Sequence, residues 1–99
     1  MNWSEEQIQA VWNKGRIPIQ TEAANWRQDA CTAWMQRTAY GNRNSSYGWE
    51  IDHINPNDGD GLANLQPLQW ENNAAKSDGP LVYAVTSSGN KNVSAKVSA

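Results

Sequence analysis

The apolar positions near the start of the chain recur with the period of an amphipathic helix. Ser4 and Gln7 have the spacing of a capping box, in which each side chain bonds the backbone of the other. Three apolar residues then follow at helical intervals: Ile8, Val11 and Trp12. The pattern predicts a first helix that ends at Lys14-Gly15, since glycine commonly follows the last helical turn.

The next part of the chain has a weaker pattern. Pro18 disfavours helix at the residue before it, so residues 16–20 are expected to be extended. Within residues 21–37 several alanines favour a helix, whereas Trp26 and Trp34 fit no single apolar stripe. The sequence therefore predicts an N-terminal helical region and leaves the conformation of residues 21–37 open.

Residues 49–54 alternate between apolar and polar side chains, which is typical of a half-buried strand. They follow YGNRNSSYG, a stretch whose glycines and asparagines favour turns. In the predicted strand, Trp49 and Ile51 would face the core. Glu50 and Asp52 would share the opposite face, because successive side chains of a strand alternate.

A loop, a second strand and a second helix are expected to follow. The sequence NPNDGDG at residues 55–61 is typical of a loop, and residues 65–68 can form a short edge strand that contains Pro67. Residues 70–76 favour a helix of about two turns, closed by Gly79. The predicted order is strand, loop, strand, helix.

The C-terminal residues are expected to add one more strand and a tail. Residues 81–86 have the composition of a strand, whereas residues 87–99, rich in Ser, Asn, Lys and Ala, are expected to form a polar, flexible tail. A chain of 99 residues has room for one small hydrophobic core. We therefore predict a small α+β single domain over residues 1–86.

Composition narrows the class of protein. The chain is 38% hydrophobic with six Trp and no Phe, which indicates core packing rather than stacking on nucleic-acid bases for most of the Trp residues. Cys31 is the only cysteine, so the chain forms no internal disulfide and holds no Cys-x-x-Cys zinc site. No membrane span or secretory signal is visible, and a soluble, cytoplasmic protein is expected.

The distribution of charge bears on nucleic-acid binding. The formal net charge of -2 argues mildly against a general nucleic-acid binder. However, residues 31–49 hold Arg37 and Arg43 with no acid, while residues 50–62 hold several acids with no Lys or Arg. A metal ion bound among those acids would offset part of the local repulsion.

His53 is the only histidine of the chain, and it lies between a predicted strand and a loop. An imidazole can take a proton from water near neutral pH, which suits it to general-base catalysis. The pair Asp52-His53 by itself would more often mark the end of a strand. Its interpretation therefore depends on the residues that follow.

The sequence from residue 40 to residue 78 closely resembles the HNH endonuclease family through three segments, WEIDHINP, NLQPLQW and NNAAKSD. They occur in the family's order and at compatible spacing. The resemblance implies a ββα-metal fold, in which a two-stranded antiparallel hairpin and a helix hold one divalent ion at the scissile phosphate. It also implies hydrolysis to products with a 5′-phosphate and a 3′-hydroxyl.

Transferred position by position, the family pattern makes His53 the general base and Asp52 a metal ligand. Asn64 becomes the central asparagine of the motif. Its expected role is to hold the loop between the strands through side-chain hydrogen bonds to backbone, which keeps His53 aimed. Without the resemblance, Asn64 would be an ordinary turn residue.

Asn73 stands at the final position of the motif, where many family members have a histidine. This departure looks like the H-N-N branch, in which the terminal asparagine binds the metal through its amide oxygen. The neighbouring Asn72 is a rival ligand, although the spacing to the following KSD favours Asn73. The carboxylate of Asp52 and an amide are hard oxygen ligands, so Mg²⁺ or Mn²⁺ is the expected single divalent ion.

Three charged residues beside the motif are candidates for binding or orienting the phosphate. Glu50 is expected either to pair with an arginine, Arg43 or Arg37, or to be a solvated strand carboxylate. Arg43 and Lys76 are the candidates for phosphate contacts. The acids of residues 55–61 do not follow the ligand order of an EF-hand calcium loop.

The sequence thus predicts a metal-dependent endonuclease that hydrolyses phosphodiester bonds, with DNA favoured over RNA. His53 would activate a water for in-line attack, and the divalent ion would offset the developing charge. The alternatives are a non-catalytic nucleic-acid-binding module on the same fold, or a nuclease toxin domain. A homodimer or a partner protein would supply targeting, since so short a chain has little room to read base sequence.

Overall fold

The computed structural model describes residues 2–19 and 21–95. Within those residues the fold is α+β, with two α-helices and three two-stranded antiparallel hairpins. None of the helices described is long and apolar enough to cross a membrane. The elements in chain order are α1 (Glu5–Trp12), β1 (Trp26–Gln28), β2 (Trp34–Gln36), β3 (Trp49–His53), β4 (Leu65–Gln69), α2 (Trp70–Lys76), β5 (Val85–Ser88) and β6 (Lys91–Ser94).

The predicted first helix is confirmed, including its capping box. Ser4 Oγ accepts a hydrogen bond from Gln7 N at 3.1 Å, and Ser4 N donates to Gln7 Oε1 at 2.9 Å. Two of the N–H groups at the start of α1 thereby gain partners that the helix itself cannot supply. The buried side of α1 consists of the three residues that set its period, Ile8, Val11 and Trp12.

Residues 21–37 form a hairpin and no α-helix, so the predicted N-terminal helical region is limited to α1. The turn between β1 and β2 is closed by Asp29, whose Oδ1 accepts from Cys31 N at 2.8 Å and Ala33 N at 2.9 Å. Thr32 adopts a φ of 62°, which a helix does not allow. Such local bonds from a side chain to the backbone compete with helix formation and here outweigh the helical preference of alanine.

The predicted order of strand, loop, strand and helix is confirmed in the middle of the chain. β3 and β4 are antiparallel, with Trp49 opposite Gln69 and His53 opposite Leu65, and α2 starts directly after β4. Pro67 lies within β4 opposite Ile51. Both strands of a two-stranded sheet are edges, so a residue without an N–H group is tolerated there.

The C-terminal region is more ordered than its composition predicts. A strand is present at Val85–Ser88 rather than at residues 81–86, and it pairs with Lys91–Ser94. Residues 87–94, expected in a flexible tail, therefore belong to a hairpin, while residues 96–99 lie outside the described residues. The Asn92 side chain joins this hairpin to the fold: its Oδ1 accepts from Trp34 N at 2.6 Å, and its Nδ2 donates to Trp34 O at 2.9 Å.

The main hydrophobic core lies between α1 and the β3–β4 hairpin. Trp12 and Trp49 are fully buried, with ring centroids 5.1 Å apart, and Ile51 packs against them from the next inward position of β3. The core face of β3 is thus the one predicted from its alternation. The opposite face of β3 carries Glu50 and Asp52 and is covered by α2.

Candidate functional site

The polar face of β3 meets one side of α2. Asn73 Nδ2 donates to Glu50 Oε1 at 2.8 Å, and Lys76 Nζ lies 3.4 Å from Asp52 Oδ1. Residues 73 and 76 are about one helical turn apart and so lie on one face of the helix. Glu50 and Asp52 therefore share a strand face, as alternation predicts, and that face holds the candidate site.

Asp52 is buried, with 6% of its surface exposed. Its Oδ2 accepts from Gln66 Nε2 at 2.9 Å, across the ladder from β4. Its Oδ1 faces the ammonium of Lys76, which is itself only 4% exposed. A buried carboxylate needs such partners, and the pair keeps the negative charge of Asp52 in a fixed place beside α2.

Glu50 is paired with an arginine, which was one of the two alternatives for it. Arg43 Nε and Nη2 donate to its two carboxylate oxygens at 2.7 and 2.8 Å. The hydrogen bonds from Arg43 lower the pKa of Glu50, against the opposing effect of burial, and the bond from Asn73 lowers it further. The Arg43 guanidinium also lies over the Trp70 ring, 5.6 Å from its centroid.

His53 is the last residue of β3, where the strand gives way to the loop of residues 54–61. Its Nε2 lies 2.6 Å from Asp60 Oδ1, and 29% of its side chain is exposed. Lys76 Nζ donates to the His53 carbonyl at 3.0 Å. The Trp3 ring lies at 5.8 Å from the imidazole, centroid to centroid. The ring of His53 is thus held in place but still accessible to water.

Asn64 ties the loop after His53 to the start of β4. Its Oδ1 accepts from Asn55 N at 2.9 Å, and its Nδ2 donates to Asn55 O and Gly59 O, both at 2.8 Å. These are bonds from a side chain to the backbone across the loop, of the kind expected for the central asparagine. Gly59 has a φ of 77°, a conformation that favours glycine.

The structure separates the two rival asparagines of α2. Asn72 is fully buried: its Oδ1 accepts from Ala84 N and Val85 N, and its Nδ2 donates to Asp29 Oδ2 and Val85 O. All its hydrogen-bonding capacity is used inside the protein. Asn73 faces Glu50 instead, so it is the asparagine that lies beside the candidate site.

The two basic candidates for phosphate contacts have different environments. The side chain of Arg43 is 55% exposed, and two of its donors are taken by Glu50. Lys76 is buried, with its ammonium on the His53 carbonyl and near Asp52. Burial favours an orienting role for Lys76 over a direct contact with phosphate.

Carboxylate and amide oxygens are the ligand types that hard divalent cations prefer, and the site holds both. A carboxylate can only accept hydrogen bonds, so Glu50 holds the Asn73 amide with Nδ2 toward itself and Oδ1 directed away. Within residues 2–19 and 21–95 that amide oxygen accepts no hydrogen bond, and it joins the Asp52 carboxylate as a candidate ligand. In the same residues, no cluster of three or more His, Cys, Asp or Glu side chains is arranged around a possible metal position. The candidate set therefore relies on an amide oxygen.

Asp60 is the site residue that the sequence analysis missed. Its loop, NPNDGDG, directly follows the one histidine of the chain. An acid in a short loop after the candidate base was the available signal. Which of the loop acids meets His53 depends on how the loop folds.

Comparison with protein-family models, with curated proteins and with solved structures finds no match for this chain. The interpretation of the site accordingly rests on its own residues and contacts. Those contacts join Lys76 of α2 to Asp52 and to the His53 carbonyl, join Asn73 to Glu50, and brace the adjoining loop through Asn64.

Proposed function

We propose that the protein is a metal-dependent endonuclease that hydrolyses phosphodiester bonds, with DNA as the preferred substrate. The observation that carries the proposal is the arrangement at the end of β3. An accessible imidazole, His53, ends β3 directly after the buried carboxylate of Asp52, and α2 packs Lys76 near Asp52 and Asn73 against Glu50. The resemblance of residues 40–78 to HNH endonucleases agrees with this chemistry.

In the proposed reaction His53 takes a proton from a water molecule, and the water oxygen bonds to phosphorus. The bond between phosphorus and the leaving oxygen breaks, and that oxygen takes up a proton from solvent. Asp52 and Asn73 would hold Mg²⁺ or Mn²⁺, which supplies neutralisation of the charge that develops on the phosphate and the leaving oxygen. Lys76 keeps the His53 backbone in place through its carbonyl.

The decisive assay is incubation of the purified chain with supercoiled plasmid and with RNA, in Mg²⁺ or in Mn²⁺. We expect cleavage of the plasmid that stops when EDTA removes the metal. His53→Ala should lower the rate by about 100-fold or more, because a general base contributes at least that factor. Asn57→Ala is the control, since Asn57 is exposed in the same loop and uses only its backbone.

Two results would contradict the proposal. One is equal cleavage by the wild type and His53→Ala, which would assign the activity to a contaminant or to other residues. The other is an absence of cleavage of DNA and RNA in both metals. Tight binding of nucleic acid without cleavage would then favour a binding module on the same fold.

A further inference from the structure

The imidazole of His53 is held by a carboxylate from the loop that follows it. Asp60 Oδ1 lies 2.6 Å from His53 Nε2, which is a short hydrogen-bond distance. An ionised carboxylate has no hydrogen to donate, so the shared hydrogen belongs to Nε2. In the neutral ring the other nitrogen, Nδ1, then carries the lone pair.

The position of Asp60 is determined by the brace that Asn64 provides. Asn64 Nδ2 donates to the carbonyl of Gly59, the residue directly before Asp60, at 2.8 Å. The backbone at Asn64 adds to this brace, since Ile54 N donates to Asn64 O at 2.8 Å. Asp60 is 55% exposed, yet the peptide that carries it is fixed on one side by these bonds. The carboxylate is therefore delivered to His53 by the folded loop.

The other neighbours of His53 leave Nδ1 without a partner. Lys76 bonds the backbone carbonyl, and the Trp3 ring packs beside the imidazole without a hydrogen bond to it. In the part of the chain that the structure describes, Nε2 makes the one hydrogen bond of the ring. Nδ1 is thus free to accept a proton from water.

We propose that Asp60 is a positioning residue that selects the Nε2–H tautomer of His53 and so directs Nδ1 to the attacking water. This inference rests on the proposed nuclease function for its catalytic consequence. The proton of the water moves to Nδ1 while the water oxygen bonds to phosphorus and the leaving oxygen departs. Asp60 keeps its charge throughout and stabilises the imidazolium that forms.

The tautomer can be measured without any assay of activity, because His53 is the only histidine. In NMR spectra of the full chain labelled with ¹⁵N in histidine, at a pH where the ring is neutral, we expect Nε2 protonated and Nδ1 unprotonated. The Nε2–H proton should be shifted downfield and exchange slowly. In Asp60→Ala we expect that proton signal to vanish and the nitrogen shifts to move toward a mixture of tautomers.

The catalytic consequence is measured by steady-state cleavage of DNA. Asp60→Ala should lower kcat by about tenfold or more, because an unheld imidazole samples the wrong tautomer and orientation. KM should change little, since Asp60 contacts His53 and the proposal gives it no contact with DNA. Asp60→Glu should recover part of kcat, whereas Asp60→Asn should not, because its amide can donate to Nε2 and favour the opposite tautomer.

Asp58→Ala is the matched control, since Asp58 is an exposed acid of the same loop with no contact to His53. It should match the wild type in both measurements, and thermal unfolding should show that every variant is folded. Identical His53 spectra in the wild type and Asp60→Ala would overturn the proposal, as would an unchanged kcat. If the wild type cleaves nothing, the proposed function fails, while the spectra still decide whether Asp60 sets the tautomer.

Discussion

Adjacent residues of α2 have different environments in this protein. Asn72 is fully buried and joins the β1–β2 turn to the C-terminal hairpin, through Asp29 and through the backbone of Val85. Asn73, one residue later, is turned by about 100° around the helix axis and contacts Glu50 on β3. A single step along the helix thus separates a structural asparagine from a candidate metal ligand.

This separation predicts losses of stability of different size for two alanine substitutions. Asn72→Ala should reduce the free energy of unfolding by about 3 kcal/mol or more, because it leaves several buried donors and acceptors without partners. Asn73→Ala should cost only about 1 kcal/mol, for one lost hydrogen bond. Urea unfolding of both variants measures these values.

The same pair also differs in its expected response to metal. Asn73→Ala should raise the concentration of Mg²⁺ or Mn²⁺ that gives half-maximal cleavage by about tenfold or more, since a proposed ligand is removed. If Asn73→Ala cleaves with unchanged metal dependence, Asn73 is not a ligand. If Asn72→Ala is as stable as Asn73→Ala, the buried network around Asn72 contributes little.

Asp29 is a second buried polar residue with a structural role. Its carboxylate accepts from three backbone N–H groups and from Asn72, which hold the β1–β2 turn against the start of α2. Burial raises the pKa of Asp29, and the hydrogen bonds from Asn72 and the backbone oppose that rise. The hydrogen bonds of Asp29 thus join the β1–β2 turn to the start of α2.

At the scale of elements, the site is made where β3, the following loop and α2 converge. β3 supplies Glu50, Asp52 and His53, and α2 supplies Asn73 and Lys76. The helix lies over β3 because it follows β4 directly, with the Gln69 side chain accepting from the N–H groups of its first turn. The position of α2 over β3 therefore depends on the register of the β3–β4 hairpin, which sets Glu50 opposite Asn73 and Asp52 opposite Lys76.

Glu50 connects three segments of this unit, so its ionisation should affect their packing. The pKa of Glu50 is lowered in the folded state, chiefly by Arg43, from an ordinary value of 4.5. Because the pKa of Glu50 is lower in the folded state, the ionised carboxylate stabilises the fold at pH values above its ordinary pKa. That stabilisation is lost as the pH falls through the folded-state pKa. At neutral pH, Glu50→Gln should therefore be less stable than the wild type by about 1 kcal/mol or less.

The measurement is the free energy of unfolding of both proteins from pH 7 down to pH 3, at constant ionic strength. The difference between them should shrink below about pH 4.5 as the wild-type carboxylate takes up a proton. Glu6→Gln is the control for removal of one carboxylate, since Glu6 is exposed on α1. A difference that stays constant across the acid range would show that the charge of Glu50 is not what stabilises the contact.

At the scale of the whole molecule, elements near both ends of the described chain contact its central part. The main core joins α1 to the β3–β4 hairpin, while the β5–β6 hairpin packs against β2 and the turn before β3. The Asn92 side chain makes three hydrogen bonds to this region: it accepts from Trp34 N and donates to Trp34 O and Ser46 O. Trp34 Nε1 also donates to Gly89 O at 2.8 Å.

The C-terminal hairpin should consequently be needed for stability. A chain that ends at Thr86 should lose about 3 kcal/mol or more of unfolding free energy, since five hydrogen bonds between distant residues are removed. A chain that ends at Ala95 is the matched control, because it keeps all of those bonds. Urea unfolding compares the two. Equal stability of both truncated chains would mean that residues 87–94 act as the tail that their composition suggests.

Much of the fold could be predicted because its signals are local. The capping box of α1, the alternation in β3 and the order of strand, loop, strand and helix are all properties of short segments. The hairpin over residues 26–36 was missed, since the alanines favour helix and the bonds of Asp29 that close its turn appear only in the folded chain. The β5–β6 hairpin was missed for a similar reason, because its polar residues are held by Trp34 and Ser46 and not by a hydrophobic pattern.

For the candidate site, the sequence by itself determined the residue types and their order: one imidazole after an aspartate, then two asparagines at motif spacing. Only the tertiary structure decided their surroundings. It placed Asn72 inside and Asn73 beside Glu50, buried Lys76 under His53, and brought Asp60 to Nε2. The physical reason is that hydrogen bonds and burial depend on distances between segments remote along the chain, and these distances exist only once the segments are packed together.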